Sequence, residues 1–280
     1  MDMVAIGTPS GLHADHGIAA ARHGLHVLVE KPIDVSTARA DALIDETRRA
    51  GVILGVIFQD RLKPAVRRIH ALIDGGRLGA PILASAHVKW YRAPEYYAAS
   101  TWRGTRRLDG GGALINQAVH TVDLLLWLFG PVRRVFGRTA TRLHAIEVED
   151  TATAILEFAS GALGTIEAAT SVYPGYSRRL ELTGSEGTLV LDGDRLVAID
   201  LRHPSADDVA EETEARAASS TSPIVADAAA HRAVFDNFID AIRTCGTPSC
   251  DGRDGRRSLA LIEAVYRSAE TGEPVLLQDA

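Results

Sequence analysis

Apolar runs and turn residues alternate along the chain, and their spacing predicts its elements. MVAIG (Met3 to Gly7) breaks into Thr8, Pro9, Ser10 and Gly11, the pattern of a buried strand ending in a loop. An Ala-rich helix follows from about His13 to His23, stopped by Gly24. HVLVE (His26 to Glu30) is a second strand, ended by Lys31-Pro32. Ser36 caps a helix running to Ala50, with Gly51 as its stop. VILGVIF (Val52 to Phe58) is a third strand, and Pro64 to Asp74 a helix ended by Gly75-Gly76. Strands alternating with helices predict parallel α/β structure.

The pattern changes after Gly79-Ala80-Pro81. Ile82 to Arg92 reads as a long strand, followed by a loop rich in Tyr, Arg and Gly as far as Gly112. Ala113 to Phe129 reads as one helix, closed by Gly130-Pro131. Strand-like runs come next: Arg133 to Arg142, Thr151 to Phe158, Leu163 to Val172, Arg179 to Thr183, Gly187 to Leu191 and Arg195 to Ile199. Short turns such as Ser160-Gly161 and Gly184-Ser185 predict an antiparallel meander. The polar stretch Ser205 to Ser222 reads as a mobile loop, and helices over about Asp227 to Thr244 and Gly255 to Glu270 close the chain. The expected class is α/β. A partial doubly wound parallel sheet spans 1–78, and an α+β domain with an open, mainly antiparallel sheet spans 79–280.

Composition narrows the class. A chain of 280 residues suits two domains. With 46% hydrophobic and 24% charged residues it can bury a large core, which excludes overall disorder. A net charge of −6 without a basic block argues against nucleic acid as the partner. The apolar run Leu124 to Phe129 is far short of the roughly 20 residues of a membrane helix. The start carries Asp2 and no cationic n-region, unlike a signal peptide. Cys245 and Cys250 fit neither a metal motif nor a disulfide framework, so a cytoplasmic setting is expected.

Three parallel strands alone would leave a bare sheet edge and an uncovered apolar face, and so predict poor solubility. No GxGxxG phosphate loop occurs; the GGG at Gly110 to Gly112 lacks that spacing. The first part therefore reads as the second half of a doubly wound domain whose first half, on the order of 60 residues, is absent. A small but complete α/β unit is the alternative.

Three segments carry candidate chemistry. Glu30-Lys31-Pro32 lies at the carboxyl end of a strand, where open α/β sheets bind ligands. A lysine there can donate to a substrate oxygen, or be a surface Lys-Pro turn. In DGGGALINQAVHTVD (Asp109 to Asp123) the glycines permit close approach to a ligand. Asn116 and His120, four apart, share a helical face, and Asp123 can orient the imidazole. A helix start with a satisfied buried histidine fits the same residues. The loop from Trp90 to Arg107, with Trp102 and Arg103, suits a ring-shaped polar ligand such as a sugar and a subunit interface equally well. No HExxH or compact ligand set points to a metal, and no GxSxG to an α/β-hydrolase.

Together these residues resemble the Gfo/Idh/MocA oxidoreductase family. The resemblance runs in order through TPSGLH (Thr8 to His13), VEKP (Val29 to Pro32), RLKPAV (Arg61 to Val66), GGGALINQAVHTVDLLLWL and the closing FIDAI and SLALIEAVYRSAETGEPV. EKP about 80 residues ahead of GGGxLxxxxxH is its specific part. The resemblance implies a Rossmann domain, a C-terminal domain whose sheet forms a dimer or tetramer, and hydride transfer between a sugar or cyclitol carbon and NAD or NADP. It implies Lys31 as the lysine on the reacting oxygen and His120 as the acid/base histidine. Asn116 stands where many members carry Asp, so a hydrogen bond to substrate is its implied role. Asp123, Trp102 and Arg103 join it on the substrate side, and Thr8, Pro9, His13 and Glu30 would line the nicotinamide. The NQ pair (Asn116, Gln117) resembles the subgroup that includes nucleotide-sugar dehydrogenases. The missing phosphate loop keeps open a different class, a non-catalytic sugar-binding or oligomerising protein.

Overall fold

The computed structural model describes residues 1–211 and 228–277. Its first sheet is parallel, in the order β1 (Met3–Ile6), β2 (His26–Glu30), β3 (Leu54–Ile57). The connecting helices are α1 (His13–Arg22) and α2 (Thr37–Ala50), followed by α3 (Pro64–Asp74). The expected punctuation holds. Ser36 Oγ accepts the Arg39 N–H, and Gly51 closes α2 at φ 68°, a left-handed position where glycine is least costly.

The face of this sheet carrying Leu28 and Ile57 is covered, contrary to the expectation of an open apolar face. Val234 and Phe238 of α6 (Ala229–Thr244) pack on it. A Cβ on Gly55 would lie 2.7 Å from the Phe238 ring, so glycine is what lets the helix seat. The cover comes from far downstream, and no local pattern announces it. Among the described residues β1 pairs on one side, with β2.

The second sheet has eight strands: β4 (Pro81–Lys89), β5 (Val132–Ala140), β6 (Thr151–Phe158), β7 (Leu163–Ala169), β8 (Arg179–Gly184), β9 (Gly187–Asp192), β10 (Arg195–Leu201) and β11 (Val275–Leu276). Their order is β10-β9-β8-β4-β7-β6-β5-β11, which corrects the meander. β4 inserts between β7 and β8, parallel to β7 (Leu83↔Leu163 to Lys89↔Ala169) and antiparallel to β8. Alternation shows which residues face inward but not which strand lies alongside. β11, two residues against Val135 and Arg134, is too short to read as a run.

α5 (Val119–Phe129) and α7 (Gly252–Thr271) cover one face of this sheet. On the opposite face Leu83, Ile155 and Leu163 are each half exposed or more. α7 also binds the first sheet's layer. Val56 N–H donates to Cys250 O at 3.1 Å just ahead of α7, and Thr37 N–H to Glu263 at 2.9 Å. Asp251 caps α7 through the N–H groups of Arg253 and Asp254. The expected loop from Ser205 is described only as far as 211; its remainder, like the expected helix start at Asp227, lies outside the described residues.

The single helix expected from Ala113 to Phe129 is two pieces. A wide π-type turn, Ala113–Gln117, precedes α5. The cause is Glu149. Its carboxylate accepts the N–H groups of Gly112 and Leu114, each at 2.9 Å, and its carbonyl accepts that of Ala113 at 3.0 Å. The donors of the first turn are thus satisfied from outside. A Cβ on Gly112 would sit 1.7 Å from Glu149 O, so this approach requires glycine. A short helix, α4 (Pro94–Ala98), interrupts the preceding loop.

Candidate active site

The site forms where the carboxyl ends of β1, β2 and β3 meet the loop from 90 to 112 and the turn ahead of α5. Lys31 follows β2. Its Nζ donates to Asn116 O at 2.9 Å, spanning from the first sheet to that turn. The Lys31–Pro32 peptide is cis. Burial pushes the Lys31 pKa down, against the carboxylates of Glu30, Asp109 and Asp60.

His120 stands in the first turn of α5, edge-on to Phe58 with ring centroids 5.6 Å apart. Its Nδ1 is buried with no hydrogen-bond partner among the described residues. Burial pushes its pKa down to about 3; Asp60 opposes this, while Lys31, Arg178 and Lys63 reinforce it. The imidazole is therefore neutral near pH 7, in its proton-accepting form.

Asp123 is turned to Arg61 and Ser258 and makes no hydrogen bond to His120. It is buried, and its two oxygens accept Arg61 Nε at 2.8 Å and Nη2 at 2.7 Å. Ser258 Oγ donates to it at 3.2 Å. The three-residue spacing brings Asp123 near His120 along the chain, but α5 packs against α7 and turns the carboxylate into that seam. The carboxylate that does act on His120 is Asp60, just after β3. Asp60 accepts Lys63 Nζ at 2.6 Å and an Arg178 N–H, and Arg178 and Lys63 both bind Asp194. Despite its burial, Arg178, His120 and Lys63 hold Asp60 well below the usual carboxylate range. Position at a strand's carboxyl end could have flagged Asp60. Arg178 and Asp194 carry no such signal, because they arrive beside β8 and in the β9–β10 turn.

Asn116 Nδ2 donates to Asp109, whose other oxygen accepts the Gly104 N–H at 2.7 Å. Burial pushes Asp109 up to about 6. Gln117 Oε1 accepts Arg92 Nη2 at 3.0 Å, and its Nε2 donates to the Tyr96 hydroxyl at 3.2 Å. Arg103 lies over the Tyr96 and Trp102 rings, at 4.7 and 5.3 Å to the centroids, and attracts Asp109. Arg103, laid over Tyr96 and Trp102, thus stands on the Asp109 side of the site.

Thr8, Pro9 and Glu30 lie at the ends of β1 and β2, with Thr8 exposed. His13 is a brace between the two strand-end loops. It is buried, with Nδ1 2.8 Å from Pro32 O and Nε2 2.8 Å from Thr8 O, so both ring nitrogens face main-chain carbonyls. It ties the loop after β1 to the loop after β2. A Cβ on Gly7 would meet nothing closer than Glu30 Cγ at 4.0 Å. This open strand end, with Glu30 and Lys31 beside it, fits the nicotinamide end of a dinucleotide. Glu30 and the Thr8–Pro9 main chain would hold it.

Comparison with known proteins agrees with this layout. Residues 1–58 match the model of the oxidoreductase family with an NAD-binding Rossmann fold, and residues 66–190 match the GFO/IDH/MocA C-terminal domain. The chain is similar to 1,5-anhydro-D-fructose reductase of Ensifer adhaerens, at 30% identity over 98% of this chain and 79% of the relative. It is similar to D-apiose dehydrogenase of Paraburkholderia graminis, at 29% over 99% and 73%. Among solved structures, the WlbA dehydrogenase from Bordetella pertussis, in complex with NADH and UDP-GlcNAcA, superposes with a TM-score of 0.88 at 35% identity, over 100% of this chain and 79% of that one. A parallel nucleotide-binding layer, a lysine at a strand end and a histidine ahead of a mixed open sheet thus have one common source: the chain belongs to the GFO/IDH/MocA family of NAD-binding oxidoreductases.

Proposed function

We propose that Lys31 and His120 carry out hydride transfer between a hydroxyl-bearing carbon of a sugar or cyclitol and NAD or NADP. The observation that carries this is the meeting of the two residues. Lys31 crosses between the sheets to Asn116 O, and its ammonium acts on His120, 89 positions away in sequence. The nicotinamide, when bound, supplies the hydride acceptor. Lys31 Nζ donates a hydrogen bond to the carbinol oxygen and stabilises the negative charge that develops there. His120, held neutral by its burial, takes the hydroxyl proton. Asp60 makes that imidazole a better base than burial alone allows. Asn116, Trp102 and Arg103 form the substrate wall.

Relatives named as dehydrogenases of apiose, myo-inositol and xylose support a sugar or cyclitol as the substrate. The WlbA complexes with UDP-GlcNAcA, at 35% and 33% identity, support a nucleotide-sugar among the first compounds to test. The sheet's open face supports self-association. Leu83 and Leu163 are paired across β4 and β7, and with Ile155 they form an exposed apolar strip suited to a second copy. No helix among the described residues is long and apolar enough to cross a membrane, and two free cysteines support a cytoplasmic setting.

The test is a titration of the 280-residue chain with NADH and NADPH, followed by nicotinamide fluorescence, then turnover on sugars and UDP-GlcNAcA read at 340 nm. Removing the base or its electrostatic partner should lower kcat about 100-fold or more in H120A and K31M, with cofactor affinity kept. Undiminished kcat in both variants would overturn the assignment. Binding of sugar without any turnover would favour a non-catalytic binding protein.

A further inference from the structure

We propose that Asp109 sets the hydrogen-bonding sense of the Asn116 side chain, and thereby decides whether the site offers its substrate an acceptor or a donor at that position. The proposal deepens the dehydrogenase reading and rests on it for the nature of the ligand.

Asp109 closes the loop ahead of the glycine run and is 2% exposed. One of its oxygens is occupied by the Gly104 N–H at 2.7 Å, and the other accepts Asn116 Nδ2. An ionised carboxylate can only accept, so it selects the NH2 end of the amide. The amide is planar, and its Oδ1 is then turned away from Asp109. Asn116 is half-buried, and its own main-chain oxygen holds Lys31 Nζ at 2.9 Å. The side chain that Asp109 orients therefore belongs to the residue that anchors the proposed catalytic lysine.

Adding a proton to Asp109 changes the choice. The protonated oxygen becomes a donor, and the amide is best paired when it turns over and presents Oδ1 to Asp109. The face away from Asp109 then carries NH2 in place of oxygen. A sugar hydroxyl that donated to Oδ1 loses its acceptor there. Burial places the Asp109 pKa at about 6, so the exchange falls where enzymes work. The groups around Asp109 are Lys31 from the end of β2, Arg103 from its own loop, Tyr97 from α4 and Asn116 from the π turn. Lys31 and Arg103 oppose the effect of burial without cancelling it.

The experiment is a pH titration of the 280-residue chain, following Asp109 carboxyl carbon and Asn116 side-chain amide resonances by NMR between about pH 4.5 and 8. The expected result is one midpoint near 6 shared by both residues, with the Asn116 resonances pH-independent in D109N. Asn116 resonances that ignore the Asp109 titration, or that move unchanged in D109N, would overturn the proposal. The wild-type arm needs no variant, so a D109N chain that fails to fold leaves the test intact. Calorimetry with myo-inositol and UDP-GlcNAcA as probes adds a functional arm. One hydrogen bond gained or lost predicts about five-fold tighter binding at pH 7.5 than at pH 5 in the wild type, and no such change in D109N. Binding of a probe with the same affinity at both pH values in the wild type would count against the proposal. If neither probe binds at any pH, the sugar reading fails, and the NMR arm still decides the role of Asp109.

Discussion

Replacing Asp123 with Ala separates a structural role from a substrate-binding one. Arg61 and Asp123 are both almost fully buried, at 3% and 1% exposure. The change removes the bidentate pair and the Ser258 contact, and leaves a buried guanidinium with Ser249 O at 3.0 Å and Asp254 at 3.1 Å. Removing one partner of a buried ion pair typically costs 3–5 kcal/mol. Since Asp254 stays in place, the lower half of that range applies, about 3–4 kcal/mol. For a chain of this size each kcal/mol moves Tm by roughly 2–4 °C, so a fall of about 6–16 °C is expected. Urea unfolding with linear extrapolation measures the free energy directly. Removing both charges together, as in R61M with D123L, takes away the unpaired cation and should recover most of the loss. A D123A chain within about 1 kcal/mol of wild type that had lost sugar binding would refute this and return Asp123 to the substrate side.

Further outcomes follow from the same contacts. His120, with its pKa near 3, stays neutral from about pH 4 upward, so it should not shape kcat between pH 5 and 8. The acid limb of kcat/KM should instead fall as Asp109 gains its proton below about 6, and should vanish in D109N. Because a Cβ at Gly112 collides with Glu149 O, G112A should lose several kcal/mol of stability or fail to accumulate as folded protein, as thermal melts would show. E149Q keeps the shape but replaces one acceptor oxygen on the Gly112, Leu114 and Tyr266 donors with an NH2 group; a loss of about 1–3 kcal/mol in chemical unfolding is expected. If the Leu83–Leu163–Ile155 strip is an interface, I155K should shift the sedimentation profile toward monomer while leaving the melting of that monomer within about 0.5 kcal/mol of wild type.

Much of this protein is determined by its sequence alone. The strand-turn-helix order of the first 78 residues, the caps at Ser36 and Gly51, and most strands of the second sheet follow from local propensity and alternation, which act over a few residues. The EKP and GGGxLxxxxxH segments identified the family and singled out Lys31 and His120. Tertiary structure alone decided the rest, because the interactions responsible join residues that no sequence period connects. β4 finds its parallel partner β7 only when the sheet assembles, and α6 covers the Leu28 face from the far end of the chain. Glu149 converts the start of an expected helix into a wide turn. Asp123, three residues from His120, is drawn away by Arg61, while Asp60, 60 positions earlier in sequence, supplies the carboxylate that His120 feels. A charged side chain taken out of water must find an opposite charge or a hydrogen bond, and which partner it finds is settled by packing.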